Sequence, residues 1–227
     1  MICKEGCMNK TDILVIGSGL AGCIAALTAA DKGKSVTIIT KTKELLSGNT
    51  PWAQGGIIFK GIEDSPEKLK KDIMIAGDGH CWEPAVEQRC EMGPKLVQEL
   101  LIDSFGVDFD KKNDNELHLT AEGAHSAPRI IHSKDKTGLT IHKSVIEAVE
   151  NHPNITILRE HTAIDLLTLS HHSTNSLDIY KKPACLGAYI INNETCKVFP
   201  IYAKNTILAT GGLGQIYLHS TNPSEAT

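Results

Sequence analysis

The 227-residue sequence has no internal repeats and no low-complexity tract, which excludes solenoid, propeller and collagen-like architectures. Basic charge is not in excess. Lys and Arg number 23 against 27 Asp and Glu, a formal net charge of −4, so nothing points to nucleic acid or an anionic membrane surface. A disulfide framework is also missing. The seven cysteines are odd in number, irregularly spaced, and carried by a chain too large to need staples, which suits reduced thiols in the cytoplasm. Cys3 and Cys7 stand four apart with no second pair at ligand spacing, so no metal site is expected. What is present, 41% apolar and 22% charged residues, describes a globular protein with ample length for a core, as one large domain or two small ones.

The most informative stretch is Ile13 to Ala30, ILVIGSGLAGCIAALTAA, in which eighteen residues pass without a charge. Four apolar residues suit a buried parallel strand. A tight turn at Gly17, Ser18 and Gly19 follows, then a helix from about Leu20 to Lys32 with Gly33 as its stop. Gly17, Gly19 and Gly22 have G-x-G-x-x-G spacing: one permits the turn, one lets backbone approach a pyrophosphate, and one lets the helix pack on the strand. The helix N-terminus offers N–H groups and partial positive charge to dinucleotide phosphates. Eighteen uncharged residues also approach the length of a membrane span. Lys4 and Lys10 precede them as in a secretory signal, and Leu20-Ala21-Gly22-Cys23 resembles a lipoprotein cleavage box. Asp12 at the start, three glycines in the run, and a second strand, Ser35 to Thr40, at βαβ distance favour the nucleotide site.

After that second strand stands Thr40-Lys41, where an ordinary NAD site has an acid for the ribose hydroxyls; Glu44 lies past the strand end. Ser47 to Gly56, SGNTPWAQGG, is small, glycine-rich and uncharged, suited to a surface loop or to wrapping a flat ring with its amides. Ser65-Pro66-Glu67 starts a helix that runs to Ala76 before Gly77. A second helical pattern spans Pro84 to Ser104 with a kink expected at Gly93-Pro94. Val107 to Thr120 reads as two short strands about a polar turn, and Ala121 to Gly138 as a segment dense in titratable residues. A helix from Thr140 to Asn151, strands at Asn154 to Arg159 and Ile164 to Leu169, a polar loop from His171 to Lys182, a hairpin (LGAYII, VFPIYA) and a further strand in Thr206 to Gly212 complete the order. The class is α/β with a mixed sheet and an antiparallel insert.

Five motifs, GSGLAG with TK, SGNTPWAQGG, HLTAEGAHS with RIIHSKDKTG, ILATGG, and TNP near the end, occur in an order that resembles the flavoprotein subunits of the succinate dehydrogenase and fumarate reductase superfamily, and within it the aspartate oxidases. The resemblance spans nearly the whole chain. It implies a Rossmann-like FAD-binding domain over 1–227: a βαβ unit at 1–60, a helical and loop insert at 61–138, and the remainder at 139–227. The capping domain and C-terminal helical domain would lie outside the chain. It implies FAD on Gly17, Ser18, Gly19, Leu20, Ala21 and Gly22, with Lys41 near the adenosine ribose and Thr162 and Ala163 near the adenine. Asn49, Thr50, Pro51, Trp52, Ala53, Gln54, Gly55 and Gly56 would wrap the flavin, and Thr210 and Gly211 would complete the site.

Two positions separate branches of the superfamily. Respiratory members tether FAD through a histidine about seven residues before the loop's last glycine; here Asn49 occupies that place, so the flavin is expected to be non-covalent. Glu122 falls where dicarboxylate enzymes have an aromatic residue, and its carboxylate would draw a substrate ammonium. The residues alone also suit a solvated loop acid. His125, Arg129 and His132 are polar enough to line a dicarboxylate pocket, although structural roles are commoner for histidine. The implied reaction is oxidation of L-aspartate to iminosuccinate with oxygen or fumarate as acceptor, the first step of NAD synthesis through quinolinate. The next enzyme of that pathway is a further expected partner. The proton-transfer arginine would lie beyond Thr227, and the 227-residue piece alone is expected to turn over no aspartate. A soluble fumarate reductase-type enzyme and a non-catalytic FAD-binding protein are the alternatives.

Overall fold

A computed structural model describes residues 10–112 and 116–227; Cys3 and Cys7, and the turn at 113–115 between the two expected short strands, lie outside the described residues. Two units are distinguished, Met1–Thr50 with Val145–Thr227, and Pro51–Ser144.

The first unit is built on β1 (Lys10–Ile16), α1 (Leu20–Asp31) and β2 (Val36–Ile39). β1 pairs in parallel with β2, Ile13 opposite Val36 and Ile16 opposite Ile39. Ile13 to Ile16 and, apart from Thr37, β2 are apolar on successive positions because both faces are covered there, as parallel sheets require. α1 buries Gly22, Cys23, Ala26, Leu27 and Ala30, the spacing of one helical face, and ends at Lys32 with Gly33 at φ 73°. Its 12 residues span about 18 Å, well short of the ~30 Å a bilayer demands. Among the described residues no helix is long and apolar enough to cross a membrane.

The sheet continues with β5 (Ile155–Leu158), β6 (His161–Thr168), β7 (Cys185–Asn192) and β8 (Val198–Leu208). Its order is β5-β2-β1-β8-β7-β6, with β5, β2, β1 and β8 parallel and β7 and β6 antiparallel. Leu14, Ile16, Ile39, Ala188, Ile190 and Ile201 form a core across four of its strands, with Leu158, Ala163 and Phe199 against it. Each such fully buried aliphatic side chain contributes about 1.5–3 kcal/mol.

One expectation is corrected here. VFPIYA and TIL are not two strands but one, the 11-residue β8. Its first part pairs only with β7. Tyr202 pairs with both β7 and β1, and Ala203 to Leu208 lie along β1, so Pro200, which lacks an N–H, sits where only β7 is alongside. Lys204 and Asn205, which read as a polar interruption, are exposed positions of a continuous strand; Lys204 Nζ reaches Asp12 Oδ1 at 2.6 Å.

The second unit contains α2 (Pro66–Ala76) and α3 (Glu83–Leu96), which continues without a break into a π-helical segment, Val97–Ser104. The chain stays helical through Gly93-Pro94, and the wider i→i+5 register follows three residues later. Leu69, Val86 and Cys90 pack α2 on α3. The two strands expected in Val107 to Thr120 reduce to isolated bridges, Lys111 to Leu117 and Thr120 to Ile130. The strands that do form are two residues each, β3 (Ile57–Ile58) and β4 (Ile130–Ile131), too short to carry a periodic signal. α4 (Thr137–Asn151) starts three residues earlier than its pattern suggested. The loop at His171 to Lys182 contains two short helical turns, Leu169–His172 and Ser176–Tyr180.

Candidate functional site

Because β1, β2 and β8 are parallel, their carboxyl ends, Ile16, Ile39 and Leu208, open on one edge of the sheet. The chain leaves β1 toward β2 on one side and meets β8 on the other, the switch point at which open α/β sheets bind ligands. A cleft of about 590 Å³ lies there, within the size range of cofactor sites. Gly17, Ser18, Gly19, Leu20, Ala21, Lys41, Asn49, Thr50, Thr162, Ala163, Thr210 and Gly211, selected from sequence, line it together with residues that were not, among them Thr40, Ser47, Gly48 and Glu225. Gly22 is not on its wall. A Cβ there would lie 2.1 Å from the Gly17 carbonyl oxygen, so Gly22 serves close packing of α1 on the turn. Gly17 is required twice: its φ is 112°, and a Cβ would meet Ala209 O at 2.3 Å.

α1 begins at the cleft with Gly19 as N-cap, no side-chain cap and no acidic residue in its first turn. The Leu20 N–H is paired with Thr50 Oγ1 at 3.3 Å. The end thus keeps the partial positive charge and backbone donors that a pyrophosphate would use, which fits the cofactor class the motif implies. Cys23 in the same turn donates to Ser18 O at 3.2 Å, and burial pushes its thiol up to about 12, so it stays protonated.

In place of the acid of an NAD site, hydroxyls connect the loops. Ser18 Oγ lies 3.0 Å from Thr40 Oγ1, which is 3.1 Å from Thr42 Oγ1, itself 2.9 Å from Ser47 Oγ. This chain is neutral and ties the phosphate turn to the end of β2 and the loop beyond it. Lys41 lines the cleft and its Nζ bonds Thr227 through the side-chain hydroxyl and the carbonyl.

Pro51, Trp52, Ala53, Gln54, Gly55 and Gly56 belong to the second unit. There the Gly56 N–H donates to Glu122 Oε1 at 3.2 Å, so the exposed carboxylate of Glu122 is held at the last glycine of the SGNTPWAQGG loop. Gly56 could carry no side chain: a Cβ would lie 2.1 Å from Ile130 Cγ2 and 2.6 Å from Ile131 O.

The sequence left open whether Arg129 lines a pocket, and the structure places it in the interior of the second unit. It is 0% exposed, and four hydrogen bonds engage its guanidinium. Nε and Nη2 donate to the two oxygens of Asp64 at 2.7 Å each, and Nη1 donates to Asp72 Oδ2 at 2.6 Å. Asp72 also accepts from the Ser126 N–H and hydroxyl, each at 2.8 Å. The backbone N–H of Ser126, with Arg129 and the Ser126 hydroxyl, outweighs burial and brings the Asp72 carboxyl down to about 2. For Asp64, burial acts upward, but the Arg129 hydrogen bonds and the Ser65 N–H leave its carboxyl below the usual range. Arg129 Nη1 also lies 3.0 Å from His125 Nδ1; guanidinium only donates, so that nitrogen accepts and the ring proton is on Nε2. His132 Nδ1 stands 2.9 Å from Asp110 Oδ2, and its ring meets His118 edge-on. Sequence reasoning missed Asp64 and Asp72; two acids on or beside a surface-type helix carried no signal for a partner more than fifty residues away.

A family model described as FAD binding domain matches residues 12–227. The chain is 42% identical over 226 residues to "L-aspartate oxidase 2-a, chloroplastic" of Nicotiana tabacum, covering 99% of this chain and 33% of that protein. It is 38% identical over 219 residues to the L-aspartate oxidase of Halobacterium salinarum, covering 96% and 41% respectively. Among solved structures, the FrdA chain of E. coli quinol fumarate reductase superposes with a TM-score of 0.83 at 22% identity, over 96% of this chain and 35% of that one. The chain thus spans about a third to two fifths of the length of these relatives.

Proposed function

Because the chain belongs to the FAD binding domain family, we propose that it is the cofactor-binding part of an enzyme that oxidises L-aspartate to iminosuccinate, with oxygen or fumarate as electron acceptor, opening NAD synthesis by way of quinolinate. The cofactor is FAD. Gly17 to Ala21, at the start of α1, hold the pyrophosphate while Gly22 lets α1 pack on the turn; Lys41, Thr162 and Ala163 hold the adenosine, and Asn49 to Gly56 the flavin ring, with Thr210 and Gly211 completing the site. Asn49 offers an amide, which is no nucleophile, so the flavin is held without a covalent bond. When bound, FAD supplies the two-electron acceptor for hydride leaving the substrate Cα.

The observation that carries aspartate over succinate as substrate is the carboxylate of Glu122, fixed by the Gly56 N–H at the end of the flavin loop. It pairs with the substrate ammonium, which succinate lacks, and orients Cα for hydride loss. The chain's other partners in this reading are the electron acceptor and the next enzyme of the pathway, in the cytoplasm.

The test is an anaerobic titration of protein expressed from the intact reading frame, following visible flavin absorbance. Bleaching by L-aspartate but not succinate, with flavin released by acid precipitation, is the expected result. Bleaching by succinate alone, or flavin that stays in the pellet, would move the protein to the dehydrogenase branch. Glu122→Phe should lower kcat/KM for aspartate about 10- to 100-fold, the loss of one charge-assisted hydrogen bond of ~1.5–3 kcal/mol.

A further inference from the structure

The turn joining β7 to β8 carries two adjacent asparagines whose side chains do different work. Asn192 serves the turn chiefly: its Oδ1 accepts from the N–H groups of Glu194 and Thr195 at 3.0 and 2.8 Å and from the Thr195 hydroxyl at 3.0 Å, while its Nδ2 lies 3.2 Å from His161 Nε2. Asn193 reaches out of the turn to two walls of the cleft. Its Nδ2 donates to the Lys41 carbonyl at 3.0 Å, and its Oδ1 accepts from the Thr162 hydroxyl at 2.9 Å. Its backbone N–H donates to Glu160 O at 2.7 Å, which seats the residue between the end of β2 and the start of β6. The exposed amide therefore uses one donor and its acceptor on two residues far apart in sequence, both of which line the cleft.

Dinucleotide-binding folds place the adenosine ribose at the end of the second strand, here Thr40-Lys41. This chain has no acid at that point, so the position of the main chain matters more than a charged side chain. We propose that Asn193 is a positioning residue for the adenosine half of FAD, fixing the Lys41 carbonyl and the Thr162 hydroxyl so that the two walls stand at the right separation. The proposal rests on the FAD reading of the cleft. The turn has its own lock in Asn192, so Asn193 is not needed to fold it. That division makes the two roles separable by experiment.

FAD and ADP binding to the apo form of the full chain would be measured by calorimetry, with thermal melting of each apo protein alongside. Asn193→Ala should weaken FAD and ADP by the same factor, about 5- to 30-fold, because binding must then order the two walls unaided, and should lower the apo melting temperature by less than Asn192→Ala does. Asn193→Asp, which turns an acceptor oxygen toward the Lys41 carbonyl, should weaken both at least as much. Asn192→Ala should lower the apo melting temperature, confirming that the turn's stability resides there. Wild-type affinity in Asn193→Ala, weakening of FAD without ADP, or an apo melting temperature that falls as far as in Asn192→Ala would each overturn the assignment. If the wild-type chain binds neither FAD nor ADP, the cofactor reading fails and the proposal with it, a result distinct from the other three.

Discussion

At the scale of single residues, the second unit depends most on Arg129. Its guanidinium is fully buried, and the Asp64 and Asp72 side chains are 6% and 10% exposed. Removing the cation leaves two carboxylates with little access to water. Arg129→Met should therefore cost about 3–5 kcal/mol, read as a fall in denaturation midpoint. The same cluster sets an acid limit. Asp72 is held at about 2 in the folded protein against ~3.9 in an unfolded chain, and Asp64 is also depressed. A carboxyl depressed by folding contributes stability above its unfolded pKa and loses it as pH falls through its folded one. Stability should therefore be flat above about pH 4 and decline toward pH 2, with a shallower decline in Arg129→Met, as unfolding titrations across that range would measure. The sequence announced Arg129, His125 and His132 as polar residues in a dense segment. It could not say that Arg129 faces inward, because its two acids lie in and just before α2, a helix whose pattern reads as ordinary surface.

At the scale of elements, local chemistry determined what could be read. Ser65 caps α2 by accepting from the Lys68 N–H at 3.2 Å, Pro66 opens the helix and Gly77 ends it, all as the sequence suggests. Ser65→Ala should cost about 1 kcal/mol and lower the melting temperature by ~2–4 °C, measured by circular dichroism. α1, its glycine turn and β2 were equally legible, since each is specified by residues within a few positions of one another. β8 was not. Its continuity comes from pairing with β1, nearly two hundred residues earlier in the chain, and that pairing overrides the local polarity of Lys204 and Asn205. β3 and β4 exist because Gly56 lets backbone pack against Ile130 and Ile131, a contact between segments that no window of sequence contains. The same limit applied to Asn193: an asparagine in a turn reads as turn chemistry, and its reach to Lys41 and Thr162 is tertiary.

At the scale of the whole molecule, the cleft draws on four separated stretches of chain: the turn after β1, the end of β2 with the loop to Thr50, the start of β6, and the residues after β8. A ligand bound there links segments that the apo protein holds mainly by the neutral hydroxyl chain and single hydrogen bonds, and binding to the native state alone adds stability by mass action. At a free FAD concentration of 100 times Kd this amounts to ~2.7 kcal/mol, visible as a concentration-dependent rise in melting temperature. Hydrogen exchange locates the effect. Amides of Gly19, Leu20 and Ala21, which the first turn of α1 leaves without helical acceptors, should slow on adding FAD, as should Lys41, Thr162, Ala163, Thr210 and Gly211. The stretch Pro51 to Gly56 is the discriminating part of this map. Protection there together with the first-unit amides would support the assignment of that loop to the flavin ring. Protection confined to the first unit, in FAD and ADP alike, would mean that the loop makes no flavin contact and that Glu122 must be sought in a different role.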